Sequence, residues 1–181
     1  MMSVNIKSME NKVVIIGSGI VGMTIAYQLL TRKLSKDILI IDKENLPGKH
    51  TSGRNSGVVH SGLYYKPDSL KAKVCVKGAK RLRKWVSDRN LYLNKCGKLI
   101  LPTNEYLNKR IDELYDRGKK NGCNVEIWDL AKLKKKFPYV NLSCGRALWS
   151  PDTSIISPKE ILSTLFNELK EKNVKFLFDS E

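Results

Sequence analysis

Val13-Val14-Ile15-Ile16-Gly17-Ser18-Gly19-Ile20-Val21-Gly22, followed further on by Ile38-Leu39-Ile40-Ile41-Asp42, decides how this chain is read. Val13 to Ile16 is short, wholly apolar and β-branched, which predicts a strand covered on both faces. Three glycines follow at once, and a helical pattern runs from Ile20 to about Arg32 with Met23, Ala26, Tyr27 and Leu30 on one face. Ile38 to Ile41 predicts a second buried strand, ending at Asp42. Strand, turn, helix and strand make a βαβ unit, whose strands lie parallel.

Each residue of the turn has a physical task. Gly17 permits the tight bend, Gly19 lets a pyrophosphate approach the backbone, and Gly22 lets the helix pack on the strand. Ser18, Ile20 and Val21 sit among them, where a helix N-terminus offers unpaired N–H groups and partial positive charge to phosphates. Asp42, twenty positions past Gly22, is placed to accept hydrogen bonds from the ribose of an adenosine, with Lys43 beside it. The fingerprint specifies an adenine dinucleotide, and NAD and FAD share it. The next segment favours FAD. From Lys43 to Pro67, Gly48, Gly53, Gly57 and Gly62 alternate with hydroxyls, amides and both histidines, an unusually long loop. Ser52, Asn55, Ser56 and Gly57 offer the close backbone approach and donors that a larger ligand with a polyol chain needs. His50 reads as an ordinary loop residue.

Downstream, Ser69 caps a long amphipathic helix that carries Leu70, Val74, Leu82 and Val86 and ends near Asn90. A hairpin strand over Cys96 to Leu101, a helix over Glu105 to Asn121, a strand over Val125 to Trp128, a short helix over Leu130 to Phe137 and a strand over Ala147 to Trp149 follow. Ser157-Pro158-Lys159-Glu160 is a capping box opening another helix, before a last strand over Val174 to Phe178. The expected architecture is α/β: a Rossmann-like βαβ FAD-binding domain with the beginning of an α+β substrate domain, an incomplete two-domain flavoprotein. Its boundaries are drawn at 1–92 (FAD-binding), 93–150 (partial substrate domain) and 151–181 (return to the FAD-binding domain).

A net charge of +15 raises the question of nucleic acid or an anionic surface. The lysines are scattered, and the dense stretches Lys71 to Lys84 and Lys132 to Lys136 alternate with apolar residues as solvated helix faces do. No nucleic-acid partner is therefore expected, while attraction of anionic substrates fits. The four cysteines lie far apart with only two histidines to join them, so no metal site is expected, and they read as small buried residues of a reducing compartment. Met1 to Lys12 lacks the apolar core of a signal peptide, and no run suits a membrane-spanning helix. The expected location is the cytoplasm, with peripheral membrane contact left open.

At Asn55-Ser56-Gly57-Val58-Val59-His60-Ser61-Gly62-Leu63-Tyr64-Tyr65-Lys66-Pro67 the chain resembles the L-2-hydroxyglutarate oxidase/dehydrogenase family of D-amino-acid-oxidase-like flavoproteins. Val14 to Gly22, Ser69 to Lys73, Cys96-Gly97-Lys98-Leu99-Ile100 and Pro151 to Ile156 carry the same resemblance. It implies an FAD-dependent enzyme that oxidises L-2-hydroxyglutarate to 2-oxoglutarate by hydride transfer to flavin, in chains whose further half completes the site. Glycerol 3-phosphate or an amino acid is the alternative substrate, an inactive FAD-binding fragment the other alternative reading, oxygen or a quinone the undetermined acceptor, and a second chain a candidate partner to complete the fold. His60 is the candidate for orienting substrate or moving its proton. The equal alternative is a loop histidine that hydrogen-bonds backbone or flavin. Tyr64 and Lys66 are candidate substrate contacts. Ser157 departs from the acidic residue usual at that point of the family.

Overall fold

The computed structural model describes residues 13–180, so the reading of Met1 to Lys12 lies outside the described residues. In chain order the elements are β1 (Val13–Ile16), α1 (Ile20–Thr31), β2 (Ile38–Ile41), β3 (Val58–Val59), α2 (Leu70–Ser87), β4 (Leu93–Asn94), β5 (Lys98–Ile100), α3 (Glu105–Lys120), β6 (Glu126–Asp129), α4 (Leu130–Lys136), β7 (Arg146–Ser150), β8 (Ser154–Ile156), α5 (Pro158–Glu171) and β9 (Lys175–Leu177). The chain is mixed α/β and divides into two compact units. One takes in the chain up to Ser56 and again from Pro158, and the other is Gly57–Ser157. The sequence reading drew its boundaries at 92/93 and 150/151. The observed division falls where β3 pairs antiparallel with β8, which ties Val58 and Val59 to Ile155 and Ser154 within the second unit.

The first unit is a parallel sheet in the order β1-β2-β9. Val13 pairs with Ile38 and Ile16 with Ile41, and β2 aligns Ile41 with Leu177. Ile38, Leu39 and Ile40 are buried, as a central parallel strand requires. Met23 and Ala26 of α1 and Ile161, Leu165 and Leu169 of α5 are also buried. Phe166, Phe176 and Phe178 form an aromatic cluster, the closest pair 4.7 Å apart in a T-shaped arrangement.

β1 corrects one expectation. Ile15 is buried, but Val14 and Ile16 are 52% and 89% exposed. β1 is an edge strand, and alternate residues of a strand point to opposite faces. Its β-branched composition specified a strand; covering both faces needs a further layer, which the described residues do not supply on that side.

The second unit holds two antiparallel sheets, ordered β3-β8-β4 and β5-β7-β6. On β7, Leu148 joins a cluster with Leu63, Ile111, Cys123 and Val125, while Ala147 and Trp149 join Trp128 and Leu133, the period-two division of one strand between two cores. Trp128 and Trp149 stack at 4.9 Å. β3, β4 and β8 escaped the sequence reading because runs of two or three residues carry no period. The expected apolar face of α2 is corrected in part: Leu70 and Val74 are 76% and 60% exposed, and Ala72 and Ala79 join the expected Val86 as its buried residues. Those three recur every seven residues and form one stripe, and Leu70 and Val74 fall on the far side of the helix.

Candidate functional site

The turn after β1 is built by its glycines. Gly17 has φ +99°, a left-handed conformation that side chains resist. At Gly22 a Cβ would lie 2.0 Å from the Gly17 carbonyl oxygen and 3.2 Å from Ile15 Cγ2, so only glycine lets α1 start this close to β1. Gly19 is the N-cap of α1 and lends it no side-chain bond. Ser52 does so from the loop, its Oγ accepting from the Ile20 N–H at 3.0 Å. The first turn of α1 contains no acidic residue, so its remaining N–H groups and partial positive charge face no competing carboxylate of their own helix.

Asp42 sits at the exit of β2, tied to this turn. Its Oδ2 accepts from the Ser18 N–H at 2.6 Å and from the Ser18 hydroxyl, and its Oδ1 accepts from the Glu44 N–H at 3.0 Å. Partial burial raises the Asp42 pKa, but the bonds from the Ser18 hydroxyl, the Glu44 N–H and the Ser18 N–H, with His50 adding its charge, outweigh this and hold it below the ordinary carboxylate value. A carboxylate offers about four lone-pair sites. Three are filled here, which leaves room for a further hydroxyl donor.

These residues border a cavity of about 680 Å³ within the first unit, lined by Ile16, Gly17, Gly19, Asp42, Lys43 and Ser52 among others. Its wall also includes Lys49, His50 and Ser180. His50 Nε2 lies 2.7 Å from Glu44 Oε1, with Lys49 Nζ 3.9 Å from the other oxygen of Glu44. The sequence reading left His50 as an ordinary loop residue and did not single out Lys49 or Ser180. No periodicity marks a loop cation, and Ser180 arrives only because β9 lies beside β2, where its N–H bonds the Asp42 carbonyl at 3.1 Å.

Other candidate residues stand away from this wall. Ser18 is buried beneath the turn, and Val21 is exposed. Asn55 turns its amide back to the carbonyls of Thr51 and Ser52, at 3.2 and 2.9 Å, and Ser56 is exposed on the same loop. Gly57 belongs to the second unit, where its carbonyl accepts from the Ile156 N–H.

His60, Tyr64 and Lys66 also belong to the second unit. The loop that carries them is pinned from several sides. Asn121 donates to the carbonyls of Gly62 and Tyr65, Arg117 to that of Tyr64, and the Cys123 thiol to that of Ser61. Ser61 Oγ lies 2.9 Å from Ser150 Oγ. The His60 and Tyr64 rings meet edge to face at 6.5 Å, and Lys98 Nζ stands 4.7 Å over the Tyr64 ring. Partial shielding from water, then the charge of Lys98, lower the His60 pKa below its ordinary value. The Lys66 side chain is exposed. All four cysteines are free, and burial was overestimated for them: Cys123 is buried, but Cys96 is exposed at the turn before β5. Among the described residues no group of three His, Cys, Asp or Glu side chains could hold a metal, and no helix is long and apolar enough to cross a membrane.

A family model described as DAO, FAD dependent oxidoreductase, matches residues 12–181. The chain is 38% identical over 162 residues to the mitochondrial L-2-hydroxyglutarate dehydrogenase of Dictyostelium discoideum, covering 88% of this chain and 36% of that protein. It is 35% identical over 170 residues to the human mitochondrial protein of the same name, covering 93% and 36%. The chain thus spans little more than a third of the length of these relatives. Among solved structures, the FAD-bound L-α-glycerophosphate oxidase of Mycoplasma pneumoniae superimposes with a TM-score of 0.80 at 26% identity, over 93% of this chain and 44% of that one.

Proposed function

The chain belongs to the DAO family of FAD-dependent oxidoreductases, and from that premise we propose that it forms the first part of an enzyme oxidising L-2-hydroxyglutarate to 2-oxoglutarate. The observation that carries the cofactor half of this reading is the cavity bordered by Gly17, Gly19 and Asp42. Relatives named for L-2-hydroxyglutarate, 35–38% identical over most of the chain, support the substrate half. Asp42 would receive the adenosine ribose hydroxyls, and the N–H groups opening α1 the linked phosphates. Lys43 and Lys49, on the cavity wall, add positive charge near those phosphates. Ser52 fixes the opening of α1, while Asn55, Ser56 and Gly57 shape the loop beyond it.

Bound FAD supplies the acceptor for a hydride from the carbon that bears the substrate hydroxyl. His60 takes the hydroxyl proton. A lowered pKa keeps its imidazole neutral near pH 7 and able to accept. Tyr64 and Lys66 offer polar contacts to the acid. A polypeptide carrying the rest of the family domain is the partner this reading calls for, and oxygen or a quinone takes the electrons onward. The test is flavin absorbance retained through gel filtration and bleached anaerobically by L-2-hydroxyglutarate, with the chain supplied alone and with the C-terminal part of a relative. Bleaching by glycerol 3-phosphate or an L-amino acid instead would keep the class and reject the substrate. Absence of bound flavin under both conditions would reject the cofactor assignment.

A further inference from the structure

Lysines are plentiful here and nearly all extend into water. Three described ones are half-buried: Lys49, Lys98 and Lys134. Lys49 has Glu44, and Lys134 has the Pro138 carbonyl and the Asn141 amide oxygen at 3.0 and 2.9 Å. Lys98 has the face of Tyr64 and no oxygen partner among the described residues. A ring face takes up none of the three N–H donors of an ammonium, so an anion can still bind there.

The backbone aims this side chain. Gly97, just before it, has φ +71°, and a Cβ there would lie 2.1 Å from Trp149 Cη2, so the chain turns flat against the indole. The Gly97 N–H donates to the Thr153 carbonyl at 3.0 Å. β5 then places Lys98 opposite Ser150, whose hydroxyl meets that of Ser61, the residue after His60. One ladder position and one hydroxyl pair therefore bring Lys98 to the His60 loop, where its ammonium lies over the Tyr64 ring that meets the His60 ring edge to face. Among the described residues the Cys75 thiol also meets this loop, donating to the His60 carbonyl at 3.6 Å.

From this arrangement we infer that Lys98 binds a substrate carboxylate next to His60, positioning an organic acid for proton removal. A 2-hydroxy acid carries its carboxylate one carbon from its hydroxyl, so the cation that anchors it and the base that deprotonates it must be neighbours. The anchor also tunes the base: a carboxylate on Lys98 neutralises the charge that disfavours the imidazolium. This inference rests on the reading of the chain as a hydroxy-acid oxidoreductase.

The chain has two histidines, so the imidazole Cε1–H spectrum of the full 181-residue protein has one site signal and one internal reference, His50. L-2-Hydroxyglutarate, L-lactate and glutarate are titrated in turn. The expected result is a saturable shift of the His60 signal with L-2-hydroxyglutarate while His50 stays fixed. Lys98→Gln should weaken that binding about tenfold, the scale of one lost charge-assisted bond, and Lys98→Arg should restore most of it. An unmoved His50 signal and unchanged tryptophan fluorescence in both variants establish that the fold is intact. The assignment is overturned if Lys98→Gln binds as the parent does, or if no carboxylate moves the His60 signal. Equal affinity for all three acids would keep Lys98 as the carboxylate anchor and remove L-2-hydroxyglutarate as the specific substrate.

Discussion

Ser18 and Asp42 form the contact on which the cavity wall depends. The Ser18 side chain is fully buried and spends its hydroxyl on Asp42 rather than on a ligand. Because the folded pKa of Asp42 is depressed, its contribution to stability is present above the unfolded carboxylate value near ~3.9 and fades as pH falls through the lower folded value. Ser18→Ala should therefore cost about 1 kcal/mol at neutral pH. The difference should shrink at acid pH as Asp42 protonates, which urea titrations at both ends of that range would reveal. His60 responds in the opposite sense. Lys98→Gln removes one of the two causes that lower its pKa, so its NMR midpoint should rise, though partial shielding keeps it under ~6.5. A midpoint that stays put would mean that the Lys98 charge does not reach the ring. Glycine chemistry at Gly17 and Gly22 was legible in the sequence; the serine bond to Asp42 was not, because a hydroxyl between two glycines advertises no partner.

At the scale of elements, helix ends were legible where a side chain closes them. Ser69 accepts from the Ala72 N–H at 3.2 Å and donates to the Lys66 carbonyl at 2.6 Å, so it caps α2 and also fastens the end of the His60 loop. Ser69→Ala should cost about 1 kcal/mol, measured as a lower urea midpoint, with faster amide exchange in the first turn of α2. At the turn before β5, Gly97→Ala forces a left-handed alanine against Trp149. The loss should exceed ~1 kcal/mol and come with altered tryptophan fluorescence, because Trp149 stacks on Trp128. The buried face of α2 was legible only at Val86. Large apolar residues suggested Leu70 and Val74, but alanines let a helix lie closer to its support, and the support became known only with the fold.

For the whole molecule, the exposed edge of β1 is the notable surface. Val14 and Ile16 present apolar side chains beside a strand edge with no described neighbour, a template for pairing with another strand. The protein should bind a hydrophobic dye and associate with rising concentration. Val14→Thr combined with Ile16→Thr should lower both, read by dye fluorescence and sedimentation. An unchanged sedimentation profile would place the association elsewhere.

By itself the sequence determined the βαβ unit, the glycine turn and the acidic residue at the end of the second strand. All three are local: they depend on side-chain period, on backbone freedom and on a fixed spacing along a short stretch of chain. It also marked the His60 segment by resemblance. The tertiary structure alone decided that Ser180 meets Asp42, that His50 and Lys49 join the cavity wall, that β1 keeps one face bare among the described residues, and that Lys98 lies over Tyr64 on the His60 loop. The first and last of these depend on pairings between strands far apart in the chain, β2 with β9 and β5 with β7, whose register no local pattern encodes.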